Sequence, residues 1–289
     1  MKLSISIICS FICIFFTKAQ EEVKAVTETF SGIKIINSHS TKTLKKREFS
    51  YVIEHRFGDV AGSNGGVQTG FGFDNATDIR FGGYFGLSDK WMVGFGRSKG
   101  AGNPFRSLVD LNTKYRILQQ TEDNTIPVSL ALVGTANVTY MKASEDISLV
   151  SSFPKFTNRL SYSSQIVITR KFGTRLSTAL TPTYVHRNYV RFDDVNGLFA
   201  LGGAVNLKIT KKIGLIAEYF HAFSDAEGRA NNKNSLALGM EWITSGHVFH
   251  FNFTNARGIG EVQYIPSTTS DWLSGQFRFG FSISRIFKY

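Results

Sequence analysis

The chain has 289 residues, with 26 Phe, 10 Tyr and 27 Gly against 5 Pro, a mean hydropathy of -0.07 and a formal charge of +11. Its two cysteines, Cys9 and Cys13, lie in an apolar N-terminal run, and neither follows the small residue that a bacterial lipidation site requires. If that run is removed, disulfides, thiolate metal sites and cysteine nucleophiles are all excluded.

Met1-Lys2, the apolar stretch Leu3 to Phe16 and Thr17-Lys18-Ala19 read as a secretory signal peptide, residues 1–19, cleaved between Ala19 and Gln20. Loss of Lys2 and Lys18 takes the formal charge from +11 to +9. No later apolar run approaches the ~20 residues of a membrane helix, so the secreted chain is periplasmic or a barrel. Phe, Tyr and Gly in excess, with only 42% hydrophobic residues, suit a lipid-facing surface with aromatic girdles better than a soluble core. In such a chain the basic balance points to anionic lipid headgroups rather than to nucleic acid.

Residues 20–47 are polar apart from Phe30, Ile33, Ile35 and Ile36, and end in Lys45-Lys46-Arg47. They form a periplasmic N-terminal segment with two open alternatives, a plug tucked into a barrel mouth or a frayed tail. Residues 48–289 divide into alternating segments of about ten residues. These run near Glu48 to Phe57, Asp78 to Gly86, Trp91 to Arg97, Ser107 to Leu118, Pro127 to Tyr140 and Asn158 to Arg170. The second half continues with Thr174 to Arg187, Gly197 to Thr210, Ile213 to Ala222, Asn234 to Ile243, His247 to Thr254 and Ser274 to Tyr289.

Connections alternate in length. Tight turns such as Leu87 to Lys90, Lys171 to Gly173, Lys211-Lys212 and Thr244 to Gly246 are interleaved with longer loops such as Gly58 to Thr77, Met141 to Thr157 and Asn255 to Leu273. Short periplasmic turns and long extracellular loops are the asymmetry of an outer-membrane barrel. The expected fold is therefore all-β, a transmembrane antiparallel β-barrel of about twelve strands, an even number that lets the first and last strands meet. The last strand supports this: Tyr289, Phe287, Arg285, Ile283, Phe281, Phe279 and Phe277 share one face and Lys288, Ile286, Ser284, Ser282, Gly280 and Arg278 the other. Phe281, Ile283, Phe287 and Tyr289 make the membrane-insertion signal through which barrel-assembly machinery would engage the chain.

The stretches Glu54-His55-Arg56-Phe57-Gly58-Asp59 and Gly70 to Ser98 resemble an uncharacterised family of bacterial outer-membrane β-barrel proteins, known only as a domain of unknown function. The resemblance covers nearly all of the mature chain. It implies the barrel and carries no catalytic residues with it.

Alternation points Glu54, Arg56, Arg80, Asp110, Lys114, Arg116, Lys208, Glu218, Glu241 and Arg278 into the lumen, with Asn112, Asn206 and Asn252. Two readings stand: a network of paired charges that fills and braces the barrel, or a polar constriction that selects small solutes. The mixture of signs argues against strong anion or cation selectivity. His55, His186 and His221 fall on the outward face near the loop ends, in the interfacial girdle. His250 falls across from Glu241 in the lumen, as a structural hydrogen bond in preference to a base with its orienter.

No Gly-x-Ser-x-Gly elbow, metal-binding histidine spacing or cofactor motif is present, and Gly94-x-Gly96-x-x-x-Gly100 is only a near-match to a phosphate loop. No catalytic residue, metal or cofactor is therefore assigned, and a lipid hydrolase ranks last. Lys45, Lys46, Arg47, Lys171, Arg175, Lys211 and Lys212 form a basic periplasmic rim suited to anionic headgroups or to an acidic periplasmic partner. In the loops, Lys142, Lys155, Arg159, Arg191, Arg229 and Arg257 among Asp193, Asp194, Asp225 and Glu227 suit lipopolysaccharide phosphates. The leading expectation is a narrow pore or transporter for small polar solutes. The alternative is a closed structural, adhesive or partner-docking barrel.

Overall fold

The computed structural model describes residues 24–289, so the signal peptide expected over residues 1–19 lies outside the described residues. Twelve antiparallel strands form the wall: β1 (Glu48–Asp59), β2 (Ala76–Gly86), β3 (Trp91–Lys99), β4 (Ser107–Leu118), β5 (Ser129–Thr139), β6 (Leu160–Phe172), β7 (Leu176–Arg187), β8 (Gly197–Lys208), β9 (Ile213–Phe223), β10 (Ser235–Ile243), β11 (Val248–Thr254) and β12 (Arg278–Lys288). Each strand pairs with its sequence neighbours, and β1 pairs with β12, so the sheet closes on itself without an edge. Strands of about eleven residues at ~3.4 Å rise and ~40° tilt span roughly 28 Å, close to the hydrocarbon thickness of a bilayer.

Period-two alternation sorts the side chains. On β1, Ser50, Val52, Glu54 and Arg56 are buried inside, while Phe49, Tyr51, Ile53, His55 and Phe57 face out. Outward rings gather into belts at the two ends. Phe57, Phe73 and Phe279 lie 5.0–5.8 Å apart with Trp272 on Phe277 at the loop end. Phe49 on Phe85 and Trp242 on Phe249 mark the turn end. His55 packs on Phe57 and Phe281 within the loop-end belt.

Strand edges differ from the sequence expectation by a few residues, for local reasons. β1 runs on to Asp59 through a bulge after Arg56. β12 starts at Arg278 rather than near Ser274, because Gly275 at φ 73° turns the chain first. Pro182 stands in mid-strand on β7, and the β6–β7 pairing is interrupted there, between Gln165↔Thr183 and Ile168↔Leu180. Its missing N–H removes one rung of the ladder.

Gly94 and Gly96 on β3 face the lumen and serve packing. A Cβ on Gly96 would overlap the Arg80 guanidinium and the Asp110 carboxylate, and one on Gly94 would overlap Tyr84. These glycines make room for a buried ion pair.

Candidate functional site

The lumen is occupied from both ends. At the turn end, Lys24 to Val26 adds a short strand to the β4–β5 turn, with Val26 N–H donating to Gln120 O at 2.7 Å and Glu122 N–H to Lys24 O at 2.8 Å. The chain then enters the barrel. Residues 30–41 are all buried, which excludes the frayed tail. Lys34 pairs with His39 across a tight hairpin, closed by Ile35 N–H to Ser38 O at 2.8 Å and Ser40 N–H to Ile33 O at 3.1 Å.

Polar wall residues hold this hairpin. Glu218 of β9 accepts the backbone N–H groups of Ile36, Asn37 and Ser38 at 3.4, 2.9 and 3.1 Å, and the Ser38 hydroxyl at 2.7 Å. Successive backbone N–H groups converging on a carboxylate make an anion nest. Lys34 donates to Glu54 at 2.7 Å, and Arg80 bridges Glu54 and Asp110, each at 2.7 Å. Lys114 donates to the carbonyls of Ile33 and Lys42 at 2.7 and 3.2 Å. Around these contacts Phe30, Ile35 and Ile36 pack on Ala179, Ala204, Ile216 and Ala237.

At the loop end, the connection after β11 folds inward as a helix, α1 (Glu261–Ser267). Here the attachment is mainly apolar. Val262, Tyr264 and Ile265 pack on Val185, Leu198, Ala200 and Phe220, with the Tyr264 and Phe220 rings edge to face at 5.2 Å. Gln263 closes the helix start by accepting Ile259 and Gly260 N–H at 3.1 and 2.8 Å and donating to Phe105 O at 2.9 Å.

The two closures meet mid-lumen. His39 Nε2 lies 3.4 Å from Glu261 Oε1, and Arg56 on the wall donates to Asn37 Oδ1 and to the carbonyls of Ala256 and Gly258. Burial, with the nearby Lys114 charge, pushes the His39 imidazole down to about 4 against the pull of Glu261. The imidazole is therefore neutral near pH 7. Burial opposes ionisation of Glu261, but His39, the Lys34 charge and a backbone N–H together hold the carboxyl below its usual range. Beside these groups a void of only about 10 Å³ remains, bordered by Arg80, Asp110 and Asn137. That is the room of one water. A vestibule of about 500 Å³ opens at the turn end, lined by Glu28, Lys42, Glu48, Asp89 and Arg116 among others.

The lumen residues expected from alternation fall into two groups. Glu54, Arg56, Arg80, Asp110, Lys114, Glu218, Glu241, His250 and Arg278 are buried inside. Lys208 and Arg116 are half-buried near the turn end, where Arg116 donates to Asp89 O. The register sets Glu241 directly opposite His250, at 3.5 Å, and Glu241 also accepts from Lys208, Asn206 and Ser31. The three donors converge on Oε1 and make Glu241 a hydrogen-bond node between β8, β10 and the hairpin, with Oε2 turned to His250. Arg278 pairs with Asp59 at the loop end.

On the rim, Lys45, Lys46, Arg47, Arg175, Lys211 and Lys212 are exposed. Lys171 differs, half-buried and donating to Glu28 O of the entering segment at 3.2 Å. In the loops Arg229 is also removed from the surface, because it donates to Pro266 O and pairs with Asp194, itself held by Arg187 at 3.0 Å. Burial alone would raise the Asp194 carboxyl, and Arg187 holds it below the usual range. On β12, Phe281 and Ile283 are half-buried on the outward face, while Phe287 and Tyr289 are exposed.

Lys34, Asn37, His39, Glu261 and Tyr264 lie outside the strands, where alternation does not reach. Their signals were present. Phe30 to Ile36 is an apolar cluster in a polar tail, and Val262, Tyr264 and Ile265 put three apolar residues within four positions of a long loop.

Among solved structures the chain is similar to the NanC porin, with 10% identity over 83% of this chain and 99% of that one, at a TM-score of 0.48. It is similar to the KdgM porin, with 8% identity, 82% and 98% coverage and a TM-score of 0.48. An outer membrane channel from Pseudomonas putida F1 aligns with 12% identity, 86% and 98% coverage and a TM-score of 0.47. No curated protein matches the chain in sequence. The profile described as "Membrane bound beta barrel domain (DUF5777)" matches residues 30–287, hairpin and wall together, and the chain belongs to that family of membrane-embedded barrels.

Proposed function

We propose that the chain is a gated outer-membrane pore or transporter for small polar solutes, with its turns towards the periplasm and its loops outside. One observation carries this reading: beside its apolar contacts, the hairpin in the lumen is gripped by buried charged groups of the wall, Glu218, Glu54 and Lys114. Ion pairs buried this way give little net stability over apolar packing of the same volume, so they are a poor filler for a barrel that only has to be solid. The same groups remain satisfied when water replaces the hairpin. A polar wall with a removable polar plug therefore suits a lumen that opens. The basic rim would hold anionic headgroups and the exposed loop charges lipopolysaccharide, while the last strand engages the assembly machinery.

Filling from both ends favours a second reading, a permanently closed barrel. Single-channel conductance of the refolded mature protein, beside a version lacking residues 20–44, separates the two. Rare openings in the mature protein and steady conductance in the truncated one are expected. Silence in both, with the barrel folded, overturns the pore and leaves the closed barrel.

A further inference from the structure

The lumen wall has two chemically different halves. Strands β1, β2, β4 and β9–β12 carry the buried charges Glu54, Arg56, Arg80, Asp110, Glu218, Glu241 and their neighbours. From β5 to β8 the inward residues at mid-depth carry no charge. They are Ser, Thr, Asn, Gln and small apolar residues, and Lys171, Arg187 and Lys208 stand only at the rims.

On this uncharged half lies a contiguous run of buried polar atoms without partners: Asn137 Nδ2, Ser161 Oγ, Ser163 Oγ and Gln165 Oε1, with the Tyr264 hydroxyl from α1 beside them. All five side chains are more than nine-tenths buried. Asn137 sits directly across from Ser161, and Gln165 from Thr183, to which it donates at 3.3 Å. The Tyr264 hydroxyl approaches the Gln165 amide without forming a well-made hydrogen bond. Buried donors and acceptors are normally satisfied, and those left open mark a place where something else supplies the partner.

We infer that the inner face of β5–β7, with Tyr264 at its edge, is a binding track for neutral polyhydroxylated solutes such as saccharides. This rests on the pore reading given above. A sugar hydroxyl both donates and accepts, so one solute satisfies the Asn137 donor, the Gln165 acceptor and the two serine hydroxyls together. Ser161, Ser163 and Gln165 recur every second residue, in steps of about 7 Å along the strand, the scale of one sugar ring. Tyr264, its ring packed edge to face on Phe220, adds its hydroxyl at the edge of the track. An ionised solute would instead be drawn to the charged strands that flank this face, where Asp110, paired with Arg80, stands directly opposite Asn137. In this structure α1 lies against β6, β7 and β9, so the same helix that closes the loop end also lies over the track.

The test is current through single channels of the full mature chain carrying Glu218→Ala, which frees the hairpin, with maltose or glucuronate added. Millimolar maltose should interrupt the current, and Asn137→Ala with Gln165→Ala should raise its half-blocking concentration at least fivefold. Glucuronate should block more weakly than maltose. A conducting channel that maltose leaves untouched, or one blocked better by glucuronate, overturns the track while the pore stands. If no current flows, the pore reading fails, and calorimetric titration of maltose into the same solubilised protein decides the track separately. Heat release lost in the double variant supports a saccharide site in a closed barrel, and no heat release overturns it. Heat-modifiable gel migration confirms that each variant is a folded barrel.

Discussion

The hairpin and the loop helix close the same lumen by opposite physics. Glu218, Glu54 and Lys114 grip the hairpin through its backbone and Lys34, so its hold depends on charge and on the protonation of its surroundings. α1 presents Val262, Tyr264 and Ile265 to an apolar patch and depends on burial. Two gates built this way respond to different perturbations, and each can be loosened while the other stays shut.

Glu218→Ala should have the largest effect. It strips three backbone N–H groups and a hydroxyl of their acceptor inside the barrel, and breaking one side of a buried charged contact costs about 3–5 kcal/mol. Open probability should rise on the order of 100-fold or more at ~1.4 kcal/mol per factor of ten, with hydrogen exchange faster at residues 33–40 and unchanged in α1. Exchange that quickens equally in both segments would show that the gates move as one unit. Arg56, which touches both, is the residue through which that would occur.

Ile265→Ala is the converse. Losing a buried aliphatic side chain costs about 2–3 kcal/mol, so exchange should quicken over residues 259–268 with the hairpin protected. An unchanged α1 would place its anchorage in the Gln263 and Asp78 contacts instead.

Acid should act where the hairpin meets the loop helix, at His39 and Glu261. His39 titrates at about 4 when docked, against 6.5 for a free imidazole, so the undocked hairpin binds the extra proton between these values. Docking is then at full strength above pH ~6.5 and weakens as pH falls towards 4. The facing Glu261 carboxyl, also held low, adds to the loss on the acid side. Openings of the unmodified channel should increase between pH 6.5 and 4.5, and His39→Gln should flatten that rise.

The smallest effect is expected from Gly96→Ala, which crowds Arg80 and Asp110 away from each other. Overpacking of this kind costs about 1–3 kcal/mol and should lower the unfolding midpoint of the barrel with the hairpin deletion as much as without it.

The wall was legible because its signal is local. A strand with lipid on one face and a polar interior on the other must alternate, and Phe49-Ser50-Tyr51-Val52-Ile53-Glu54 announces both its period and which side is which. The same parity put Glu241 and His250 in the lumen and, through one tight turn, opposite each other. By contrast, nothing local distinguishes a loop that hangs in solvent from one that turns back into its own barrel. Asn255 to Leu273 was read as an extracellular loop, and its middle is a buried helix.

Composition and periodicity determined the twelve strands, the parity of their side chains, the end at which both termini lie and the charges that had to be hidden. Each is a short-range property, decided by a residue and its neighbours two positions away. What those charges are hidden against was decided only by tertiary structure. Glu218 meets Asn37 across 181 positions, and Arg56 meets Gly258 across 202. Such contacts exist because the closed wall brings distant segments into one narrow space, where each buried polar group takes whichever partner the fold delivers.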